Sequence, residues 1–253
     1  MTAAIRPVSL ATKADVSMNI AVLKRMMSAV LLSGLLAGVL LTAIQQIQVA
    51  PIILQAEVYE DAAAAKATAM PAHEHEHEAV GAHEHEQGWE PANGVERKSW
   101  TVVANVIFAI GFSLLLAAAI VVSGKKTDWR SGLLWGIAGY AVFFVAPSLG
   151  LPPEVPGTQA APLHDRQLWW LMTSVMTGGG LAYMVFVKNR IAKIAGLILL
   201  AIPHVVGAPH LAVEASAAPA ELARAFIVAT SIANAIFWLA LGALTGFFYR
   251  KFG

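Results

Sequence analysis

The 253-residue chain has no cysteine, so disulfides and thiolate metal ligands are both excluded, and any metal site must be built from imidazole and oxygen. Charge is scarce as well: only 13% of residues are charged, and no Asp, Glu, Lys or Arg falls in the middle of a long apolar run. There is no GxxxxGK[ST] phosphate loop, because Gly124, Lys125, Lys126 and Thr127 lack the upstream glycine at the required spacing. ATP hydrolysis by the chain itself is therefore not expected. The apolar runs also lack the helical histidine boxes with a mid-span acid that a membrane metalloenzyme would use, so no enzymatic role is expected.

What the chain has in abundance is apolar surface: 57% hydrophobic residues and a mean hydropathy of +0.64, beyond what a soluble globular domain shows. The composition predicts an all-α integral membrane protein. A spanning helix needs about 20 mostly apolar residues. Six stretches qualify, at about residues 27–49, 100–123, 133–149, 168–188, 191–208 and 225–249, with the fifth shortened and interrupted by Pro203 and Gly207. The expected organisation is a cytoplasmic N-terminal extension, 1–25, followed by a membrane domain, 26–253, which includes an outer loop at 50–99. The apolar run after Arg25 is too long for a signal-peptide core and is read as a retained first helix, with Met18 and Met26 as alternative starts.

Positive residues accumulate in cytoplasmic loops. With both termini inside, twelve of the seventeen basic residues fall on the inner side, leaving Lys66, Arg97, Lys98, Arg166 and Arg224 outside. All eight histidines then lie outside or near the outer ends of helices.

Five of those eight fall in His73–Glu86, which reads HEHEHEAVGAHEHE. The surrounding loop is rich in Ala, His and Glu and is expected to be mostly disordered without metal. In an extended chain His73, His75 and His77 share one face and Glu74, Glu76 and Glu78 the other. His83 and His85 can complete a coordination shell across the Ala79–Ala82 link. The pattern points to capture of a divalent metal, weakening as pH falls through about 6.5 as imidazoles protonate. Imidazole and carboxylate suit cobalt, nickel, zinc or copper alike. The bland alternative is a solvated tract that binds metal incidentally.

His204, in AIPHVVGAPH, follows Pro203 where the fifth helix breaks, and such interruptions point to transport sites. His210, six residues on, offers a second ligand but reads more simply as a solvated loop residue. Glu154, in APSLGLPPEVPG, is either a pathway carboxylate or a surface charge. Trp100, Trp169 and Trp170 read as interfacial anchors. Gln45, Gln46, Gln48, Asn105 and Asn234 are expected to make interhelical hydrogen bonds. Gly34/Gly38, Gly132/Gly136 and Gly242/Gly246 give GxxxG spacings that permit close helix contact.

The order of one helix, a His-rich outer loop, then LGLPPE (149–154), RQLWW (166–170), PHVVGAP (203–209) and NAIFW (234–238) resembles the CbtA family, described as probable cobalt transporter subunits. The resemblance covers about Leu23 to the C-terminus. It implies a bundle in the bacterial inner membrane that takes up Co²⁺ as cargo, with no permanent cofactor, a link to cobalamin supply and a small one-span partner, CbtB. The bilayer and a divalent ion are the other expected partners, and no nucleic acid is expected. The N-terminal extension and a count of six helices, where five are often predicted, depart from the family pattern. On this reading the loop captures Co²⁺ and passes it to a vestibule near His204 and Glu154, then inward by rocking or a pore. Lacking mid-span carboxylates, the path would rest on amides, carbonyls and water. Nickel or zinc transport, or a non-transporting sensor or buffer using the same loop, are the alternatives.

Overall fold

The chain forms a helical bundle in the computed structural model, which describes residues 11–69, 91–211 and 215–252. α1 (Ala11–Gln48) leads into α2 (Ala50–Ala69), and α3 (Val95–Ser123) returns alongside α1. α4 (Trp129–Tyr140) continues through a π-helical segment (Ala141–Val145) and a single turn, α5 (Ala146–Ser148). α6 (Leu163–Phe186) and α7 (Arg190–Val206) make a hairpin, and α8 (Ala220–Phe252) packs back against α1 and α4. Among the described residues the only β pairing is a single antiparallel bridge, Thr158 with Ser216.

Four of these stretches are long and apolar enough to cross a membrane: Leu23–Gln48, Val95–Ser123, Trp129–Ser148 and Ala220–Phe252. Their outward faces carry Leu31, Leu35, Val39, Ile107, Leu115 and Val228, as a lipid-facing surface requires. The chain is accordingly an all-helical, multi-pass membrane protein. The remaining two expected spans are α6, of 24 residues, and α7, of 17. At 1.5 Å per residue α7 reaches about 26 Å, short of a hydrocarbon core of about 30 Å. In α6 the apolar character is diluted by Thr173, Ser174, Thr177 and three consecutive glycines.

The expectation that 50–99 would be mostly disordered is corrected at both ends of that segment. α2 occupies Ala50–Ala69, and α3 begins at Val95. The Ala-rich composition that reads as low complexity also has the highest helix propensity. Pro51 falls in the first turn of α2, where its missing N–H is harmless. Ala56 is buried against Val155 and Ala218, with Ile52 and Phe226 packed around them. Arg97 pairs with Glu57 and so fastens the start of α3 to α2. Beyond Glu57 the helix is exposed from Val58 to Thr68. The expected N-terminal extension, 1–25, is likewise helical from Ala11.

Glycines set the tightest contacts, as the GxxxG spacings predict. A Cβ on Gly242 would collide with the Gly132 carbonyl and lie 2.6 Å from the Gly136 Cα, while one on Gly34 would meet Ile110 of α3 at 2.6 Å. Around these seams sits an aromatic core. Trp238, buried, stacks on Phe143 at 5.4 Å and tilts against Phe112 at 4.9 Å, and the bare Cα of Gly139 makes room for its ring. Several polar groups inside this body are matched, while the Ser33 and Thr230 hydroxyls stand singly without a partner. The Asn105 amide donates to Gln45 Oε1 at 2.7 Å and to Thr42 Oγ1 at 3.0 Å, and the Ser113 and Thr245 hydroxyls pair at 3.1 Å.

Candidate functional site

One end of the bundle gathers two Pro-rich stretches, 149–162 and the described parts of the second connection, 207–211 and 215–219, together with the start of α2. Proline is plentiful there because the chain must leave each helix and turn; Pro152 and Pro153 forbid helix continuation past α5. Gly157 takes φ +75°, and Gly207 at the end of α7 takes φ +83°, backbone values that an L side chain rarely adopts. The connections are stitched to each other. The Gln159 N–H donates to the Ala215 carbonyl at 2.9 Å, the Ala217 N–H to the Gly157 carbonyl at 3.1 Å, and the hydroxyls of Thr158 and Ser216 lie 3.1 Å apart.

Between them lies a cavity of about 330 Å³ lined by Leu151–Val155, Thr158–Ala161, Arg166, Pro209–Leu211 and parts of 215–227. Its charged groups are Glu154 and Arg166, joined by a hydrogen bond of 2.8 Å from Arg166 Nη2 to Glu154 Oε2, with both side chains about 29% exposed. Arg166 Nε is buried without a partner. His210 is on the same wall. A carboxylate beside a guanidinium and an imidazole can admit a cation only if the carboxylate is released from its partner. A wider, open groove of about 510 Å³ runs between α1 and α8; it is apolar apart from Gln48 and Arg224 and reads as a lipid-facing furrow.

The residues expected from sequence separate into three groups. Glu154 is in the cavity, held by Arg166. His204 lies exposed near the end of α7, its ring 6.2 Å from that of Trp169 in an edge arrangement, and it does not line the cavity. His73, His75, His77, His83 and His85 lie outside the described residues. Among the described residues no three His, Asp or Glu side chains come together in a set able to hold a metal ion. Arg166 and His210 are the cavity groups that sequence reasoning undervalued. A Glu154–Arg166 spacing of twelve across a proline-rich turn was a usable signal for the pair, and His210 was marked only by its place six residues after His204.

Trp169, expected as an interfacial anchor, is instead buried, and its Nε1–H donates to the Pro203 carbonyl at 3.3 Å, tying α6 to the last turn of α7, which continues through Pro203 to Val206. Further along the hairpin Gly180 and Gly196 face each other so closely that a Cβ on either would lie within 2.8 Å of the other's carbonyl oxygen.

A family model described as "Probable cobalt transporter subunit (CbtA)" matches residues 23–250, nearly the whole chain. No curated protein and no solved structure matches it.

Proposed function

The chain belongs to the CbtA family of probable cobalt transporter subunits, and from that premise we propose that it is the membrane subunit of a Co²⁺ uptake system in the bacterial inner membrane. As a subunit it works with partners; the one proposed is a small CbtB-like membrane protein. The six expected spans, α1, α3, α4 with its π-helical continuation, α6, α7 and α8, all cross the bilayer, and both termini are cytoplasmic. The basic turn Lys188, Arg190 and Lys193 at the closed end of the hairpin supports that orientation.

The 73–86 tract captures Co²⁺ outside and delivers it to the cavity that Glu154, Arg166 and His210 line, with His204 close to the end of α7. The observation that carries the reading is the family match over nearly the full chain. The cavity supports it, because it lies at the same end of the bundle as α2, which leads into the tract. In this scheme Arg166 holds Glu154 as a latch, and an arriving cation displaces the guanidinium. The chain has no catalytic role, and its product is transported metal for cobalamin synthesis.

The test is uptake of radioactive cobalt in cells lacking their own high-affinity system, with and without the small partner. Deleting His73–Glu86 should lower uptake modestly at limiting cobalt, while Glu154→Gln and His204→Ala should each cut it by at least tenfold. Excess nickel or zinc should compete poorly. Cobalt held at the cell surface with none accumulated by the intact protein would overturn transport in favour of a sensor or buffer, and stronger competition by nickel or zinc would reassign the cargo.

A further inference from the structure

Hydroxyls in this chain's helices normally bond back to their own backbone. Ser28, Thr42, Thr68, Ser99, Thr101, Ser123 and Ser231 all donate to a carbonyl three or four residues earlier. Among the described residues five buried hydroxyls have no partner, and three of them, Thr173, Ser174 and Thr177, fall within five consecutive residues of α6. They are 0%, 3% and 4% exposed. A buried donor without a partner in a bilayer costs free energy that a merely structural residue would avoid.

Their position is defined by what brackets them. Thr173 and Thr177 lie on the α6 face that runs from Trp169, bonded to the Pro203 carbonyl, to Gly180, packed on Gly196. They therefore face α7 between its residues 196 and 203. In that interval Pro203 has no N–H to donate to the Leu199 carbonyl, so the helix ladder is broken there. Ser174 lies on the adjoining face with Trp170 and Gly178, which meet Phe143 and Val142 of the π-helical segment. That segment is a second interruption, with the Ala146 N–H reaching back five residues to the Ala141 carbonyl. Thr173 is about 15 Å along α6 from Leu163, near the middle of a helix about 36 Å long.

We infer that Thr173, Ser174 and Thr177, with the Leu199 carbonyl, form a binding site for a dehydrated monovalent cation, sodium, at the junction of α6, α7 and the π-helical segment. The ligands are all neutral oxygens. Hydroxyls and carbonyls released at a broken helix coordinate sodium in membrane transporters, whereas a dehydrated divalent ion calls for carboxylates or imidazoles, and this junction has neither. Sodium entering here would bind α6 to α7 and to the π-helical segment together. Its use as the coupling ion rests on the transport reading; its binding does not.

The experiment is equilibrium binding of ²²Na⁺ to the purified full-length protein in detergent, without cobalt, at constant ionic strength set by choline chloride. Saturable binding in the millimolar range is expected, weakened at least tenfold by Thr173→Val, Thr177→Val and Ser174→Ala. Thr173→Ser should retain it, and Thr230→Val, which removes another partnerless hydroxyl on α8, should leave it unchanged. Monodisperse elution of each variant excludes misfolding as the cause. Absence of saturable binding, or binding indifferent to all three substitutions, would overturn the site. Displacement of ²²Na⁺ by micromolar Co²⁺ would also overturn it as a monovalent site and make the junction part of the cargo's own path. Sodium binding in a protein that moves no cobalt would leave this inference standing while the transport reading failed.

Discussion

The four-helix body made by α1, α3, α4 and α8 and the hairpin of α6 and α7 follow opposite rules for the same membrane. In the body, backbones meet at glycine seams, aromatic rings fill the centre, and Asn105, Ser113 and Thr245 all find partners. In the hairpin, one helix lacks a backbone donor at Pro203, the other buries three hydroxyls with no partner, and attachment to the body passes mainly through the π-helical segment and α5. A region that only had to hold together would match most of its polar groups, as the body does, with Ser33 and Thr230 as single exceptions on separate helices rather than a cluster. The hairpin leaves them available, which is what a moving or ion-binding element requires.

The largest expected effect tests the body's seam. Gly242→Val drives side-chain atoms into the Gly132 carbonyl and the Gly136 Cα, neither of which can yield without separating α4 from α8. Overpacking costs about 1–3 kcal/mol and more where backbone must move, as it must here, and little folded protein should survive size-exclusion chromatography. The hairpin offers a matched pair one residue apart. A Cβ on Gly180 meets the Gly196 carbonyl at 2.7 Å, while one on Gly179 meets nothing within 4 Å. Gly180→Ala should therefore lower the midpoint of thermal unfolding by several degrees and Gly179→Ala should not. A Gly242→Val protein with wild-type elution and midpoint would show that the seam is not where the body is held.

The seams were legible in sequence because GxxxG spacing is a local pattern whose physical meaning, close helix approach, does not depend on the partner. The extents of the long apolar helices were legible for the same reason. Two things were not. α2 was read as unstructured because its alanines signal low complexity, and only its packing on Val155 and Ala218, which lie about a hundred residues or more downstream, shows why that helix is held. The cavity was half legible: Glu154 stood out as an isolated acid among prolines, but its partner Arg166 lies in the first turn of α6, and the neighbouring His210 comes from a second connection joined to the first by a bridge between Thr158 and Ser216. Pairing of that kind leaves no periodic trace. The hydroxyls of α6 are visible in the sequence as ordinary residues, and only their lack of partners sets them apart.

That lack gives a prediction of intermediate size, because the same type of substitution should act oppositely in the two regions. Asn105→Ala removes two satisfied hydrogen bonds and leaves the Gln45 carbonyl oxygen without its donor. A cost of about 1 kcal/mol is expected from interhelical hydrogen bonds in membranes. Thr173→Val removes a hydroxyl that bonds nothing and replaces it with a methyl. Without sodium its effect should be neutral or slightly stabilising. Reversible unfolding in mixed detergent, compared for both variants in choline chloride, measures the difference. Equal destabilisation by the two would show that Thr173 has a structural partner and would erase the contrast between body and hairpin.

The smallest effect concerns the turns at the opposite end of the bundle, where the two regions again differ. α4 of the body begins with a charged cap: Asp128 Oδ1 accepts from the Ser131 N–H at 2.9 Å, and the Ser131 hydroxyl in turn accepts from the Asp128 N–H. These bonds to Ser131, helped by Arg250 on α8, hold the Asp128 carboxyl below its usual range. α7 of the hairpin begins with a neutral cap, the Asn189 side chain accepting from the Ile191 N–H at 2.9 Å. A depressed carboxyl contributes stability above its unfolded pKa and loses it as pH falls through the lower folded value. Asp128→Asn should therefore lower the unfolding midpoint slightly at neutral pH, and the difference from wild type should vanish in strong acid. Asn189→Ala should lower it by an amount that does not change with pH, since an amide has no proton to gain. If the Asp128→Asn deficit persisted unchanged into acid, the cap would be acting through geometry alone, and charge would play no part in how the body is fastened at that end.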